Sequence, residues 1–461
     1  MNNFADYNVW GGLLLVSVLL LAVITANTLK RLIKPLHNSL IPASVLGGLI
    51  LLLISFLYKI IFGQEILETY FFGTNGSSNL EIITYHSLAL GFIATTFKSQ
   101  KAATSKKRLT EIFNTGITTV STYLLQGVVG LAISIAAGML IPNFFKAAGV
   151  LLPFGYGQGT GQALNYGNIY ETDFGFTGGK SFGLSIAAMG FLSASIGGVI
   201  YLNVLKKKGQ IEQPIQKAEY LSTSDIQGSN EIPMQESMDK ITIQLSFTTT
   251  AYLLTFVVMK YLSMLIPGMR SVIFGFNFLL GVIIASLMKT IMRKLTQKHV
   301  IHREYINDFL MTRISNFFFD LMVVSGIAAI RINVLIDSWL VLLILGIAGL
   351  IVTFVYNRFV ADKLFPEYKK EQFLMMFGML TGTAGTGTIL LREVDHDFQT
   401  PAADNMVYQN FPAIVFGFPI MLLATVAPVK PYMCLAIFTG LFVIFNIILF
   451  RSKIFGTKAD T

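Results

Sequence analysis

Long apolar stretches separated by short polar loops occupy almost the whole chain. A helix needs about 17 to 25 apolar residues to cross the hydrocarbon core of a bilayer, and eleven segments are at least this long. The pattern therefore predicts an all-α polytopic membrane protein. The predicted spans lie near 10–29, 40–62, 81–97, 112–140, 176–203, 241–265, 272–292, 312–331, 336–358, 405–427 and 432–450.

Two glycine-rich stretches interrupt this pattern, one in each half of the chain. The first reads LLPFGYGQGTGQALNYG (151–167) and the second FGMLTGTAGTGTILLREVD (377–395). Backbone this rich in glycine does not form a stable lipid-facing helix, and at membrane depth it persists only inside protein or beside a water-filled cavity. Each stretch follows the fourth span of its half. We predict two re-entrant hairpins, near 145–171 and 373–395.

The basic residues predict the orientation of the spans. They follow alternate spans, and by the positive-inside rule the loops that carry them are cytoplasmic. The N-terminus is then outside and the C-terminus in the cytoplasm. The residues assigned to the inner side are Lys30, Arg31, Lys34, Lys98, Lys101, Lys106, Lys107, Arg108, Lys206, Lys207, Lys208, Arg293, Lys294, Lys298, Arg303, Arg358, Lys363, Lys369, Lys370, Arg451, Lys453 and Lys458.

This orientation has a consequence for the architecture. With five spans in each half, the second half enters the membrane from the side opposite to the first, so the two hairpins approach the midplane from opposite sides. We predict two inverted-topology repeats of five transmembrane helices plus a re-entrant hairpin each, at 1–205 and 241–430. An extra C-terminal helix and tail follow at 431–461. The polar segment 206–240 is predicted to be a flexible cytoplasmic linker.

Composition supports a membrane protein and excludes other classes. Of the 461 residues, 53% are hydrophobic and only 13% are charged, against about one quarter charged in soluble domains. The net charge of +9 resides in loops beside the spans, which argues against nucleic-acid binding. Cys434 is the only cysteine, so no intramolecular disulfide forms. Neither GxxxxGK[ST] nor HExxH occurs, and we expect no enzymatic activity and no cofactor.

The glycine stretches carry candidate binding residues. Glycine lets backbone groups approach a ligand closely because it has no Cβ, amides at a helix N-terminus attract carboxylates, and hydroxyl and carbonyl oxygens suit sodium. The alternative is that these glycines are packing contacts between helices. Candidate substrate ligands are Gln158, Gly159, Thr160, Gly161, Gln162, Asn165, Gly385, Thr386, Gly387 and Arg392, and candidate cation ligands are Gly157, Thr160, Thr383, Thr386 and Asp320.

Two of these candidates are charged, and each has a structural alternative. The planar guanidinium of Arg392 can bind a substrate carboxylate through two hydrogen bonds, but three acidic residues follow it within five positions and are possible partners. Asp320 lies inside a predicted span, where acids are rare and often functional. It can instead pair with Arg313, which lies about two helical turns away.

The two motifs resemble those of bacterial sodium–glutamate symporters. GQGTGQA (157–163) followed by IYETDFGF (169–176) is similar to the first hairpin motif of that family, and GTAGTGT (382–388) stands where its second hairpin does. The resemblance covers nearly the whole chain in the order of spans, hairpins and linker. It implies a homodimer in the cytoplasmic membrane of a bacterium, elevator-like movement, and sodium-coupled uptake of glutamate or a related acidic amino acid.

Two other functions remain open. The charged residues 390–397 and the extra last span depart from the family pattern, which leaves another organic anion, such as a dicarboxylate, and coupling to protons as alternatives. An ion channel with a carbonyl-lined filter is the alternative from another class. Loops that enter from opposite sides favour a carrier over a channel, because the loops of a filter normally enter from one side.

The predicted topology can be tested by cysteine labelling. On a background without Cys434, single cysteines placed within 210–235 should react with a membrane-impermeant maleimide only after the cells are opened, since the basic residues place this segment inside. Cysteines in the short loop at 63–69 provide the opposite control. Labelling of 210–235 in intact cells would show that the orientation is wrong.

Overall fold

The computed structural model describes residues 4, 6–98, 105–210, 226, 231–234, 237–395 and 398–454. This part of the chain is 83% helical and contains no strand. We number the helices of seven or more residues within it. They are α1 (Tyr7–Leu32), α2 (Ala43–Phe62), α3 (Gly76–Phe97), α4 (Lys106–Leu140), α5 (Thr160–Phe174), α6 (Gly179–Lys207), α7 (Lys240–Leu265), α8 (Asn277–Gln297), α9 (Asp308–Ala328), α10 (Trp339–Leu364), α11 (Lys369–Thr381), α12 (Ala384–Arg392), α13 (Ala402–Tyr408), α14 (Asn410–Val426) and α15 (Pro431–Leu449).

Nine helices in the described part of the chain are long and apolar enough to span a membrane, namely α1 to α4, α6, α7, α9, α10 and α15. Two further predicted spans, 272–292 and 405–427, are bent pairs. The turn Pro267–Gly275 meets α8 at 73°, and α13 meets α14 at 52°. If each bent pair is one span, the described part of the chain has eleven spans in place of nine. Gly275 has a low helix propensity, and Pro412 has no amide hydrogen to donate within a helix.

Local chemistry sets several helix boundaries. Ser105 and Asn307 begin α4 and α9, where each side chain accepts a hydrogen bond from a backbone amide in the first turn. Such caps satisfy amides that have no partner within the helix. Gly63 and Gly175 follow α2 and α5 in the left-handed conformation, which glycine adopts without a steric penalty.

The helices pack into two bundles. The first bundle consists of α1, α2, α3, α7, α8 and α9, and α3 and α9 make its most extensive contact. Its apolar core includes Ile93, Phe97, Ala251, Ala285 and Met311. The second bundle consists of α4, α5, α6 and α10 to α15, together with the short turns before α5.

Both halves of the chain contribute to each bundle. The first three spans of each half form the first bundle, while the remaining spans and both glycine stretches form the second. Two structural repeats with the same organisation would divide their spans between the two bundles in this way. The inverted relation between them stays a prediction.

The two bundles touch mainly along α5. Thr160 Oγ1 donates to the carbonyl of Met322 in α9 (3.2 Å), and Asn165 Nδ2 donates to the carbonyl of Gly275 (3.1 Å). At the end of the interface, Lys180 Nζ of α6 lies 2.8 Å from Glu81 Oε2 of α3. The second bundle is therefore joined to the first chiefly by one short helix.

The predicted linker 206–240 is described in part. Residues 211–225, 227–230 and 235–236 lie outside the described residues, as do Lys101 and Lys458 of the predicted inner loops. Near the end of the linker, Glu231 Oε2 lies 2.6 Å from Nζ of the buried Lys240 and accepts from Asn307 Nδ2 (2.6 Å). These two contacts attach this end of the linker to the first bundle.

Candidate functional site

The first glycine stretch is a hairpin, which we define as residues 148–174. The turns Ala148–Val150 and Pro153–Gly157 form one arm and α5 forms the other. The rings of Phe154 and Tyr166 stack with their centroids 3.8 Å apart, whereas twelve residues of continuous helix would separate them by about 18 Å. The chain reverses between the two arms at Gln158 and Gly159.

Gly159 makes this reversal possible. Its φ of 81° and ψ of −171° belong to a region that essentially only glycine adopts. Space is not the constraint here, because a Cβ built on Gly159 would lie 3.6 Å from its nearest neighbour. The backbone conformation alone accounts for this glycine.

The second glycine stretch is also a hairpin, with α11 and α12 as its arms (residues 369–392). A Cβ on Gly378 would lie 2.7 Å from Cα of Gly387, so glycine lets the arms pack closely. The chain reverses at Gly382 and Thr383. Thr383 Oγ1 then accepts from the amide of Thr386 (3.4 Å) and caps α12.

The tips of the two hairpins meet. A Cβ on Gly159 would lie 3.6 Å from Thr383 Cγ2, 3.7 Å from the carbonyl oxygen of Gly382 and 3.9 Å from Cε of Met322. Residues separated by more than 200 positions in the chain thus form one junction. Met322 of α9 brings the first bundle to the same place.

Opposite helix ends converge at this junction. The helices α5 and α12 begin here, and their N-termini carry partial positive charge. Helix α11 ends here, and its C-terminus carries partial negative charge. One of the last carbonyls of α11, that of Leu380, already accepts from Gln126 Nε2 (2.9 Å). The junction can therefore accommodate an anion at the helix N-termini and a cation near carbonyl oxygens.

Gln162 is an unsatisfied polar side chain in the first turn of α5. It is 1% exposed, and neither Nε2 nor Oε1 has a hydrogen-bond partner within the described part of the chain. Tyr166 and Tyr170 follow at intervals of four residues on the same face, and their hydroxyls donate to the carbonyls of Met421 and Ala424. A buried polar group without a partner costs about 1–3 kcal/mol, so a ligand or water that bonds to Gln162 would be stabilised here.

Several other predicted glycines are packing contacts, as the alternative interpretation holds. A Cβ on Gly157 would lie 2.1 Å from Tyr123, one on Gly161 would lie 2.8 Å from Leu88, and one on Gly387 would lie 2.6 Å from a backbone oxygen. Gly385 differs, because it is exposed and a Cβ there would approach nothing closer than 3.5 Å. Only Gly159 and Gly385 leave room at the junction.

The remaining predicted ligands near the tips have mixed environments. Gln158 is partly exposed, and the amide nitrogen of Asn165 is engaged by Gly275. The hydroxyls of Thr383 and Thr386 lie 3.4 Å apart and form a hydrogen bond with each other, so the two oxygens are adjacent at the tip of the second hairpin. The carbonyl of Gly157 accepts from the Tyr123 hydroxyl (3.1 Å), which makes this oxygen a weaker cation ligand.

Arg392 is not at the junction. It ends α12, about 12 Å along the helix axis from the tip, and its guanidinium lies over the ring of Phe398 with 5.3 Å to the centroid. Asp395 accepts from the amides of Gln399 and Thr400 and so stabilises the loop after α12. Asp397 lies outside the described residues.

Asp320 is also separate from the junction. It is two residues from Met322, which places it about 200° away around α9, and it lies within hydrogen-bonding reach of Ser44 in α2. The guanidinium of Arg313 lies over the ring of Phe309, with 4.8 Å to the centroid. The structure thus groups Asp320 with α2 and not with the hairpins.

A polar stripe on α4 was not selected from the sequence. Its side chains are fully buried, and intervals of three and four residues place them on one face. Gln126 Nε2 donates to Thr353 Oγ1 (2.8 Å), and Gln372 Nε2 donates to Thr115 Oγ1 (3.1 Å). The recurrence of polar residues at helical intervals in an apolar span could have indicated this face. The stripe consists of Thr115, Thr118, Thr119, Thr122 and Gln126.

The fold and the apolar helices define the chain as an α-helical, multi-pass membrane protein. Among the described residues, no group of three or more His, Cys, Asp or Glu side chains could hold a metal ion. No protein-family model matches the chain, and no curated protein is significantly similar to it. The functional argument therefore depends on the geometry of the hairpins.

Two alanine variants separate backbone conformation from space at the junction. Gly159→Ala should lower the thermal stability of the purified protein, because alanine at this φ and ψ costs about 1–3 kcal/mol. Gly385→Ala, which has similar room and a helical conformation, should leave the melting temperature unchanged or raise it. Equal melting temperatures for the two variants would contradict the conformation described for Gly159.

Proposed function

We propose that the protein is a secondary active transporter that couples sodium to the uptake of glutamate or a related acidic amino acid across the cytoplasmic membrane of a bacterium. The observation that supports this most directly is the junction of the two hairpin tips. Broken helices at membrane depth are typical of transporter binding sites. The unsatisfied amide of Gln162 lies in the first turn of α5, next to this junction.

The chemistry of the junction suits both solutes. The N-termini of α5 and α12 favour a carboxylate, and Gln162 offers both a donor and an acceptor to an amino acid. The hydroxyls of Thr383 and Thr386 are neutral oxygen ligands for sodium. A site without a full positive charge binds an anion and a cation together more readily than either alone, which is the basis of coupling.

The two bundles support an elevator-like mechanism. Both hairpins belong to the second bundle, which meets the first mainly along α5. A movement of the second bundle would carry the junction with it and exchange few contacts. In this proposal the first bundle is the stationary part and the homodimer is formed through it.

The position of Arg392 removes one argument for glutamate over other anions. Arg392 lies about 12 Å from the tip along α12, and its guanidinium lies over the ring of Phe398. Another organic anion, such as a dicarboxylate, with coupling to sodium or protons, is therefore the second candidate within carriers. An ion channel receives less support, because the tips abut each other through Gly159 and Thr383.

Uptake into proteoliposomes tests the proposed function. Labelled glutamate, aspartate and dicarboxylates are offered under an inward sodium gradient at fixed pH, and separately under a pH gradient without sodium. We expect accumulation of an acidic amino acid above its external concentration with the sodium gradient only.

Other results would redirect the assignment. Uptake driven by the pH gradient alone and abolished by Asp320→Asn would move the coupling site to Asp320. Rapid flux without accumulation under any gradient would identify a channel. Accumulation of dicarboxylates but not amino acids would favour the second candidate.

Gln162→Leu tests the role of the unsatisfied amide. Leucine removes two buried polar atoms without partners, so the melting temperature should stay equal or rise, while the KM for substrate should increase about tenfold or more, the effect of losing about 1.4 kcal/mol of binding. Gln244→Leu is the matched control. Gln244 is equally buried in the first bundle, but its amide bonds to Tyr305 and Asn307.

The control should therefore show the reverse result, with lower stability and an unchanged KM for the protein that remains folded. A normal KM for Gln162→Leu would exclude Gln162 from the binding site.

A further inference from the structure

A chain of buried hydrogen bonds joins α4, α11 and α13, and it begins at Thr115 of the polar stripe. Thr115 Oγ1 donates its only hydrogen to the carbonyl of Glu111 (2.8 Å), so it can only accept from Gln372 Nε2 (3.1 Å). Gln372 Oε1 then accepts from Asn405 Nδ2 (3.1 Å), which also donates to the Tyr368 hydroxyl (3.0 Å). Each step fixes the next, so the orientation of the Asn405 amide follows from the hydroxyl of Thr115.

This orientation leaves Asn405 Oδ1 without a donor. Asn405 is fully buried, and no partner for Oδ1 exists within the described part of the chain. Both hydrogens of its amide are already used by Tyr368 and Gln372. The oxygen can therefore be satisfied only by a group that comes from outside the network.

Gln409 repeats this arrangement one helical turn later. Its Nε2 donates to Oδ1 of the neighbouring Asn410 (3.0 Å), to Sδ of Met379 (3.3 Å) and to the backbone carbonyl of Met406 (3.4 Å), while its Oε1 has no donor in the described residues. It is 2% exposed. Residues four apart share a helix face, so the two unsatisfied carbonyl oxygens lie on one side of the segment that joins α13 to α14.

We propose that Asn405 Oδ1 and Gln409 Oε1 are ligands of a binding site for a monovalent cation of the size of sodium. Neutral amide oxygens suit such an ion, whereas calcium and magnesium favour carboxylates. The surroundings add a favourable field. Arg108 lies 2.8 Å from Glu111 and 3.6 Å from Asp404, so this group of two carboxylates and one guanidinium has a net charge of −1.

The location connects this site to the second hairpin. Gln409 lies against Met379, which is about 3 Å along the axis of α11 from its last residue, Thr381. A cation here would fix the end of α11 where the chain reverses towards Thr383. The inference rests on the proposed function only for the choice of sodium as the physiological ion.

Thermal stability of the purified full-length protein provides the test. Melting temperatures are measured in sodium, potassium and choline chloride at constant ionic strength. We expect a saturable increase with an alkali cation over choline, because an ion that binds only the folded state stabilises it. Asn405→Leu and Gln409→Met should raise the cation concentration for half of this increase at least about tenfold, and Gln409→Glu should lower it by adding a carboxylate.

Asn446→Leu is the control, because Asn446 is an amide of the same bundle whose oxygen and nitrogen both have partners, Tyr356 and Phe442. It should leave the cation dependence unchanged. If Asn405→Leu does not fold, Gln409→Met alone decides. If the melting temperature of the wild-type protein is the same in choline as in sodium and potassium, only water occupies the site and the proposal is overturned. A folded Gln409→Met variant with the wild-type cation dependence would overturn it as well. If the wild-type protein shows the cation response but no transport in proteoliposomes, the proposed function is refuted and the proposed cation site is retained.

Discussion

A backbone that leaves its helix at membrane depth must find hydrogen-bond partners inside the protein. Both hairpins meet this requirement in the same way. Their arms are covered by α4, α6 and α10, and side chains supply the missing partners, as when Gln126 donates to the carbonyl of Leu380 and Tyr123 to that of Gly157. All three helices that cover the hairpins belong to the second bundle, so the hairpins find their hydrogen-bond partners within that bundle.

The glycines serve two physical purposes that sequence alone does not distinguish. Gly157, Gly161 and Gly387 allow close packing, whereas Gly159 provides a backbone conformation and Gly385 leaves open space. Each motif thus combines closely packed arms with a tip where a Cβ would meet no close neighbour. The packing interpretation is therefore correct for the first three residues, and the binding interpretation stays a proposal for Gly159 and Gly385.

The spans could be predicted from sequence because the length of an apolar run depends only on neighbouring residues. The glycine stretches could also be recognised, because a high glycine content within a short stretch of sequence indicates a broken helix. The contact of Gly159 with Thr383 and the ion pair of Lys180 with Glu81 could not be predicted, because each joins residues far apart in the chain. The bends near Phe276 and Gln409 coincide with Gly275 and Pro412, but these residues lie in apolar runs that are long enough for an unbroken span. Arg392 and Asp320 attracted attention by their charge, but charge does not indicate which face of a helix a residue occupies.

The ion pair between Lys180 and Glu81 bears on the rate of any movement between the bundles. Both side chains are largely withdrawn from water, with 22% and 13% of their surface exposed, and Arg331 also lies 3.6 Å from Glu81. Arg331 lies in the connection between α9 and α10, and its amide donates to Ser181 Oγ of α6 (3.0 Å). Glu81 therefore has a second cationic partner besides Lys180. In any sliding of the bundles that keeps Arg331 beside Glu81, the carboxylate would stay paired, and the cost of leaving a buried charge alone would not add to the activation barrier.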